Sequence, residues 1–328
     1  MLKLFIAPVV ISVAALGAVY LWGGAAALSV AIFLSLLEIS LSFDNAVVNA
    51  RVLEKMTVQW PRRFLPWGVL VAVFGSRLIL PASIVAIASG MSPWAAGLLA
   101  FYNPAHYSEI LAAARPIIDS FGGAFLLMVA LRYFFDEAKD VHWIHFIESR
   151  LIKLGRISSI EVTITLLVLL VCAWFLPGDG YAVLGAGCVG IALFVMMEGI
   201  TDLLDISAAR TLRGGITLFV YLNLIDATFS LDGVIGAFAL TTLLPVILVG
   251  LGIGAYFVRT LTFIFVRQHT LRTLMYLEHG AYWAISALAF CLFAGLFVEV
   301  PDAVAGSISI LFIGSAYLSS LRARRHVV

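Results

Sequence analysis

Apolar stretches of about 20 residues, the length that crosses a bilayer, follow one another along most of the 328-residue chain. In hydrocarbon every backbone N–H and C=O has to be satisfied within the protein, which leaves helices or closed barrels. These runs are continuous and lack the two-residue alternation of a barrel strand. The chain is therefore expected to be an all-α polytopic membrane protein. About ten transmembrane helices are predicted, over 4–22, 25–50, 64–89, 120–136, 158–176, 181–198, 215–239, 244–266, 277–298 and 303–320. Composition agrees: 12% of residues are charged, against roughly 25% in a soluble domain. A net charge of +1 offers no basic surface for nucleic acid. Cys172, Cys188 and Cys291 lie singly in apolar runs and read as packing residues. Lys3 and the apolar run after it resemble a secretory leader, but the run is long and another span follows at once. It is expected to remain as the first helix, within a single integral membrane domain over 1–328.

Alternate connections differ in charge. Those at 22–24, 177–180, 240–243 and 299–302 carry no basic residue, whereas the others carry Arg51, Lys55, Arg62 and Arg63, then Lys139, Arg150, Lys153 and Arg156, then Arg210 and Arg213, then Arg267 and Arg272. By the positive-inside rule these basic connections are cytoplasmic, and so are both termini; only Arg115, in the 90–119 connection, falls on the outer side. Residues 90–119, interrupted by Pro93, Pro104 and Pro116, are expected to form an outer loop with a short amphipathic helix. Residues 137–157 mix charges with Trp143, Ile144, Phe146 and Ile147 and predict a cytoplasmic interfacial helix lying on the bilayer. His142 and His145 there fit a solvated face better than a metal site.

The most informative feature is an internal repeat. FLSLLEISLSFDNAVV (33–48) aligns with YLNLIDATFSLDGVIG (221–236), placing Glu38 over Asp226, Ser40 over Thr228, Ser42 over Ser230, Asp44 over Asp232 and Asn45 over Gly233. The predicted topology sends the two copies through the membrane in opposite directions. The next spans hold Arg77 and Arg259 at similar depth, and the third members open with FGGA and EHGA. Spans 2–4 (about 25–136) and 7–9 (about 215–298) thus read as inverted-topology three-helix repeats, an architecture in which transporters place their site near the midplane.

Glu38, Asp44, Asp226 and Asp232 are costly in lipid, so they are expected to face the bundle interior and to serve function. Arg77 and Arg259 are candidate charge partners, and pairing them leaves two negative charges for protons or one divalent cation. Carboxylates, the Asn45 amide and the hydroxyls of Ser40, Ser42, Thr228 and Ser230 form an all-oxygen donor set, which suits Mg²⁺, Ca²⁺ or Mn²⁺ over copper or zinc. On an ideal helix Glu38 and Asp44 point about 120° apart. Either the helix unwinds after the serine, with Gly233 helping in the second copy, or the acids serve different places. The expectation is a central Glu38/Asp226 site with Asp44 and Asp232 on its approaches. Glu198, Asp202 and Asp205, at i, i+4 and i+7, form a weaker acidic face at the cytoplasmic end of the sixth span.

The motif Glu38-Ile39-Ser40-Leu41-Ser42-Phe43-Asp44-Asn45 resembles the signature of the TerC-like membrane proteins, and Asp226-x3-Ser230-x-Asp232-Gly233 resembles their second acidic motif. That family belongs with the LysE-type exporters and is associated with tellurium resistance and manganese export. The 90–119 insertion and the extra spans are similar to a divergent bacterial branch of unknown function. The resemblance implies a bacterial cytoplasmic-membrane protein with Glu38, Asp44, Asn45, Asp226 and Asp232 as metal-site residues. The expected function is secondary export of a divalent cation, Mn²⁺ foremost, coupled to protons, with no prosthetic group. The alternative is a non-transporting subunit or metal-binding scaffold of a stress-resistance complex, acting with protein partners or as a homo-oligomer. An enzyme is not expected: no histidine accompanies the buried acids, and no GxxxxGK[ST] loop is present.

Overall fold

A computed structural model describes residues 2–54, 56, 59–137, 139, 141–176, 178, 180–203 and 212–325. These are helical nearly throughout, with no strand among them. In chain order the helices are α1 (Leu2–Leu41), α2 (Phe43–Leu53), α3 (Gln59–Leu70), a π-helical segment (Val71–Ile79), α4 (Leu80–Ser89), α5 (Pro93–Tyr102), α6 (Pro104–Ala113), α7 (Arg115–Phe134) and α8 (His145–Leu154). They continue with α9 (Ile160–Phe175), α10 (Gly180–Leu203), α11 (Leu212–Leu240), α12 (Leu244–Arg267), α13 (Thr270–Thr273), α14 (Leu277–Gly295) and α15 (Asp302–Arg325). Among the described residues seven helices are long and apolar enough to cross a membrane: Leu4–Leu41, Arg63–Ser89, Arg115–Phe134, Gly180–Gly199, Leu244–Arg267, Leu277–Gly295 and Val304–Arg324. Ile160–Phe175 and Gly215–Thr228 are shorter apolar helices.

The chain separates into two compact units, Met1–Arg115 with Ala209–Gln268, and Pro116–Ala208 with His269–Val328. In the first unit α1 has 40 residues, about 60 Å if straight, or twice the hydrocarbon thickness. It is not straight. Gly24 takes φ 71° and ψ −167°, a backbone region open essentially to glycine alone, and the chain turns back there. Phe5 stacks on Phe257, Val19 and Ala27 pack with Val246, and Glu38 lies against Gly254. The first arm thus runs along α12 in one direction and the second arm returns along it.

The close approach of α1 to α12 depends on small residues, the usual device where lipid gives no hydrophobic drive between helices. A Cβ on Gly250 would sit 2.7 Å from Leu34 Cβ and 3.0 Å from the Ala31 carbonyl oxygen. Ser35 Oγ donates to the Gly250 carbonyl at 3.0 Å. A second cluster joins Leu53, Met56, Trp60 and Phe64 to Leu218 and Leu222, so α2, α3 and α11 share one core.

The second unit builds on α7, whose middle is almost wholly buried. Ser120 Oγ donates to the Val183 carbonyl at 2.6 Å, and Phe125 meets Phe194 edge-on, tying α7 to α10. Gly123 abuts Leu292 and Phe293 of α14, and Gly280 of α14 abuts α15.

Two expectations change. Residues 90–119 hold two helices where one short amphipathic helix was expected: α5 and α6, packed on α4 and, for α6, on α11, with His106 and Glu109 exposed on α6. The prolines open helices instead of interrupting them. Pro93 and Pro104 occupy the first turns of α5 and α6, behind Ser92 and Asn103, whose side chains accept from Ala95 N and His106 N. Proline suits that position because its missing N–H would lack a partner there anyway. Pro116 lies in α7, which starts at Arg115, ahead of the expected 120. Within 137–157 the helix spans only His145–Leu154. The unit boundaries also cut across the expected repeats: the helices carrying the two acidic motifs and the two arginines share the first unit, while 120–136 and 277–298 lie in the second.

Candidate functional site

The acidic motif of the first copy lies where the helix breaks. α1 ends at Leu41, Ser42 leaves helical geometry with φ −101° and ψ 16°, and α2 begins at Phe43. Glu38, in the last turn of α1, is buried. Its Oε1 pairs with Arg77 Nη2 and accepts the Ser42 hydroxyl at 3.0 Å, while Oε2 faces Gly233, where a Cβ would lie 3.4 Å away. Arg77 comes from the π-helical segment, the kind of local departure that recurs at functional sites. Its Nη1 donates to the Ala72 carbonyl at 2.5 Å, which also accepts the Ser76 hydroxyl at 2.7 Å.

The second copy repeats the pairing without the break, since α11 runs unbroken through Gly233. Asp226 Oδ2 accepts Arg259 Nη2 at 2.8 Å, and the same nitrogen donates to Asn223 Oδ1 at 3.3 Å. The Arg259 guanidinium rests on the Phe64 ring, 4.4 Å from its centroid, as a cation above an aromatic face does. Nε of both arginines and Nη1 of Arg259 are buried without a hydrogen-bond partner. Arg77 is among the charges acting on Arg259, so the two guanidiniums are electrostatic neighbours.

Asp44 differs from both. It is 0% exposed, and among the described residues it has no cationic partner. Its Oδ1 accepts the Asn45 backbone N–H at 2.9 Å, and its Oδ2 has no partner. It sits in the first turn of α2, where the helix dipole favours an acid. Asn45 Oδ1, both amide atoms of Asn49 and the Ser230 hydroxyl are also buried and unpartnered. Buried polar side chains are nearly always hydrogen-bonded, which makes this group exceptional.

The expected central site is not assembled as a single cluster. Glu38 meets α11 at Gly233, seven residues and about 10 Å of helix rise beyond Asp226. The acids are staggered along the bundle, each of the two mid-span ones beside its own arginine. No group of three or more His, Cys, Asp or Glu side chains placed to hold a metal occurs among the described residues. Ser40 and Thr228 donate to Leu36 and Leu224 of their own helices, so among the described residues only Ser42 of the expected supporting hydroxyls reaches a site carboxylate. The Asp232 side chain lies outside the described residues, as do Asp205 and the Asp202 side chain.

Residues 43–327 match the family described as a protein of unknown function, DUF475. The chain belongs to the DUF475 family. The match takes in Asp44, Asn45, Arg77, Asp226, Asp232 and Arg259, and begins five residues after Glu38. No curated protein and no solved structure matches this DUF475 protein.

Sequence reading missed four groups at this site. Asn223, Phe64 and the Ala72–Ser76 turn hold the arginines, and Asn49 joins the unpartnered group on α2. Asn49 and Asn223 are legible in hindsight as amides inside apolar spans, whereas the π-helical turn leaves no mark in the sequence.

The DUF475 chain has a second polar cluster, in its other unit, centred on Glu148 of α8. This carboxylate is 0% exposed and accepts Lys139 Nζ at 3.1 Å, Trp143 N at 3.2 Å, Ile144 N at 3.3 Å, His279 Nδ1 at 3.0 Å and Trp283 Nε1 at 3.1 Å. Burial alone would raise its pKa. The hydrogen bond and charge of His279, with Lys139 and Trp283, outweigh that and hold the carboxyl well below the usual range. Lys139 also lies over the Tyr133 ring, and Tyr133 stacks on Tyr282 at 3.7 Å. His142 Nδ1 lies 3.9 Å from Glu148, buried without a hydrogen-bond partner, with its ring 5.7 Å from that of His145. Glu198, expected as part of an open acidic face, is paired with Arg132.

Proposed function

We propose that this DUF475 protein is a secondary transporter exporting a divalent cation, Mn²⁺ foremost, in exchange for protons across a bacterial cytoplasmic membrane. In this reading the chain crosses ten times: Leu4–Leu41 counts twice because of its turn at Gly24, and the two shorter apolar helices supply the remaining passes. Spans 2–4 and 7–9 are inverted repeats of the TerC-like type, with both termini on the cytoplasmic side. The reading is supported by the mirrored pairs, Glu38 with Arg77 and Asp226 with Arg259, on the segments that the sequence repeat aligns.

The observation that carries it is Asp44. A carboxylate buried in apolar surroundings without a counter-charge has to take up a proton or a cation. The same helix carries the buried, unpartnered amide oxygens of Asn45 and Asn49, hard donors of the kind that suit Mn²⁺, Mg²⁺ or Ca²⁺. A proton and a metal competing for Asp44 would couple their movements in opposite directions.

A non-transporting scaffold is the second reading. It is favoured by the fact that Glu38 and Asp226 already have guanidinium partners, which makes them candidates for purely structural ion pairs. Reconstitution in liposomes separates the two readings. A hard divalent cation should move in response to a pH gradient, and the flux should be lost in Asp44→Asn and Glu38→Gln proteins that remain folded. Flux retained in both variants removes these acids from the mechanism, and no flux of any ion by the unmodified protein refutes transport.

A further inference from the structure

If Glu38 and Asp226 take part in carrying a cation, they have to release the ones they already hold. We infer that Arg77 and Arg259 are tethered counter-cations, which the transported ion displaces from Glu38 and Asp226 and which expel it again by re-pairing. This rests on the transport reading above and deepens it.

Four features bear on it. First, each pair is buried: the Arg77 and Glu38 side chains are 1% and 4% exposed, and those of Arg259 and Asp226 are 1% and 10% exposed. At such sites a carboxylate is not neutralised by water, so its partner is either the arginine, a proton or another cation. Second, each arginine has a neutral resting place besides its acid. Arg77 keeps the Ala72 carbonyl and, at 3.4 Å, the Ser76 hydroxyl, and Arg259 keeps Asn223 and the Phe64 ring. Leaving the carboxylate therefore does not strip either guanidinium of every partner. Third, the Arg77 charge acts on Arg259, so each guanidinium has a like charge in its neighbourhood besides its own acid. Fourth, Arg77 holds only Oε1 of Glu38, and the second oxygen, Oε2, lies beside Gly233, a neighbour with no side chain to cover it. A purely structural pair would gain nothing from the neutral resting places or from the neighbouring like charge.

Charge counting agrees. Glu38, Asp44 and Asp226 outnumber Arg77 and Arg259, so with both arginines paired one buried carboxylate, Asp44, is left for a cation or a proton. Re-pairing then gives a bound divalent ion an exit that needs no bulk water at the site.

The test is Mn²⁺ binding by the purified full-length protein, read from the electron paramagnetic resonance of free Mn²⁺ at neutral pH, together with Mn²⁺ efflux from proteoliposomes. Buried charge pairs couple by at least about 1.5 kcal/mol, so removing the competitor should tighten binding roughly tenfold or more. Arg77→Gln and Arg259→Gln should both show that gain while efflux falls, because release is impaired. Arg77→Lys, a weaker competitor that keeps the charge, should lie between them and the parent, and it serves as the readout if Arg77→Gln does not fold. Arg132→Gln, in the other unit, should change neither quantity. Mn²⁺ affinity that is unchanged or weaker in folded Arg77→Gln or Arg77→Lys protein overturns the inference alone. Absence of Mn²⁺ binding in the parent and in every variant overturns the transport reading, and the inference with it.

Discussion

Glu148 is the position where the structure supports the most quantitative prediction, because one carboxylate satisfies five donors at once. Replacing it with alanine leaves the Lys139 ammonium, the His279 and Trp283 ring N–H groups and two backbone N–H groups at the start of α8 without their acceptor. The two backbone groups lie at half-exposed positions and can turn to water. Lys139 and His279 are 8% and 3% exposed and cannot. Each buried donor left unsatisfied costs about 1–3 kcal/mol, and breaking a buried charge pair by removing one member costs about 3–5 kcal/mol. We expect Glu148→Ala to destabilise the second unit by about 3–5 kcal/mol. Glu148→Gln should cost roughly half as much, since the amide keeps one acceptor oxygen but turns its own N–H groups toward donors. Lys139→Met should cost less again. The decisive quantity is the coupling: in Glu148→Gln/Lys139→Met the two losses should overlap by about 1 kcal/mol or more, because each single change already breaks the same contact. Equilibrium unfolding in mixed micelles, followed by the fluorescence of Trp143 and Trp283, measures all four proteins. Additivity within about 0.5 kcal/mol, the behaviour of independent sites, would refute the claim that Glu148 organises one network.

The same carboxyl sets an acid limit. Its folded pKa lies below the ordinary carboxylate value, so the stabilisation is complete above that ordinary value and is lost as pH falls through the depressed one. Unfolding free energy should therefore decline in acid, and Glu148→Gln should flatten the decline between about pH 4.5 and lower values. At Gly254, an added Cβ would collide with the Glu38 side chain and lie 3.0 Å from the Ser35 carbonyl oxygen. Gly254→Ala should cost about 1–3 kcal/mol as an overpacked contact and should abolish efflux even in protein that inserts. Gly24→Ala places a side chain in a backbone region that only glycine occupies readily, at about 1–3 kcal/mol. Its effect should appear as loss of stability, with Mn²⁺ binding per folded molecule unchanged.

What the sequence made legible follows contrast. In a span of leucines and valines a single acid or arginine stands out, so Glu38, Asp44, Asp226, Arg77 and Arg259 were identifiable, and the alignment of the two copies gave the pairing partners their equivalent depths. Glu148 was invisible for the opposite reason. It lies among other charges in 137–157, where nothing separates a wholly buried carboxylate from a solvated one, and its partners His279 and Trp283 are more than 130 residues away. The prolines of 90–119 were misread because a proline at a helix start and a proline that stops a helix look alike until the flanking cap is known. The helical-wheel argument left open whether the helix unwinds after the serine or the acids serve different places. The chain does leave α-helix at Ser42, and it departs a second time, without any mark in the sequence, in the π-helical segment that carries Arg77.

Those two departures explain the asymmetry between copies that the sequence repeat conceals. In the first copy the break at Ser42 makes Phe43–Asn45 a new helix start, so the Asp44 carboxylate accepts the Asn45 backbone N–H and, among the described residues, faces no arginine. In the second copy α11 runs straight through the equivalent stretch and no such start exists. Residues that the sequence repeat aligns therefore do not all stand in the same local backbone. On the transport reading, an ion at Asp44 would meet a helix start, whereas one at Glu38 or Asp226 would meet a guanidinium first. Joining Ser42 into a continuous helix, as Ser42→Ala would favour by removing its hydroxyl from Glu38 and raising local helix propensity, should bring the first copy closer to the second. The measurable consequence is weaker Mn²⁺ binding at Asp44 with the Glu38–Arg77 pair retained, and Mn²⁺ affinity equal to that of the parent would show that the helix start contributes nothing to the site.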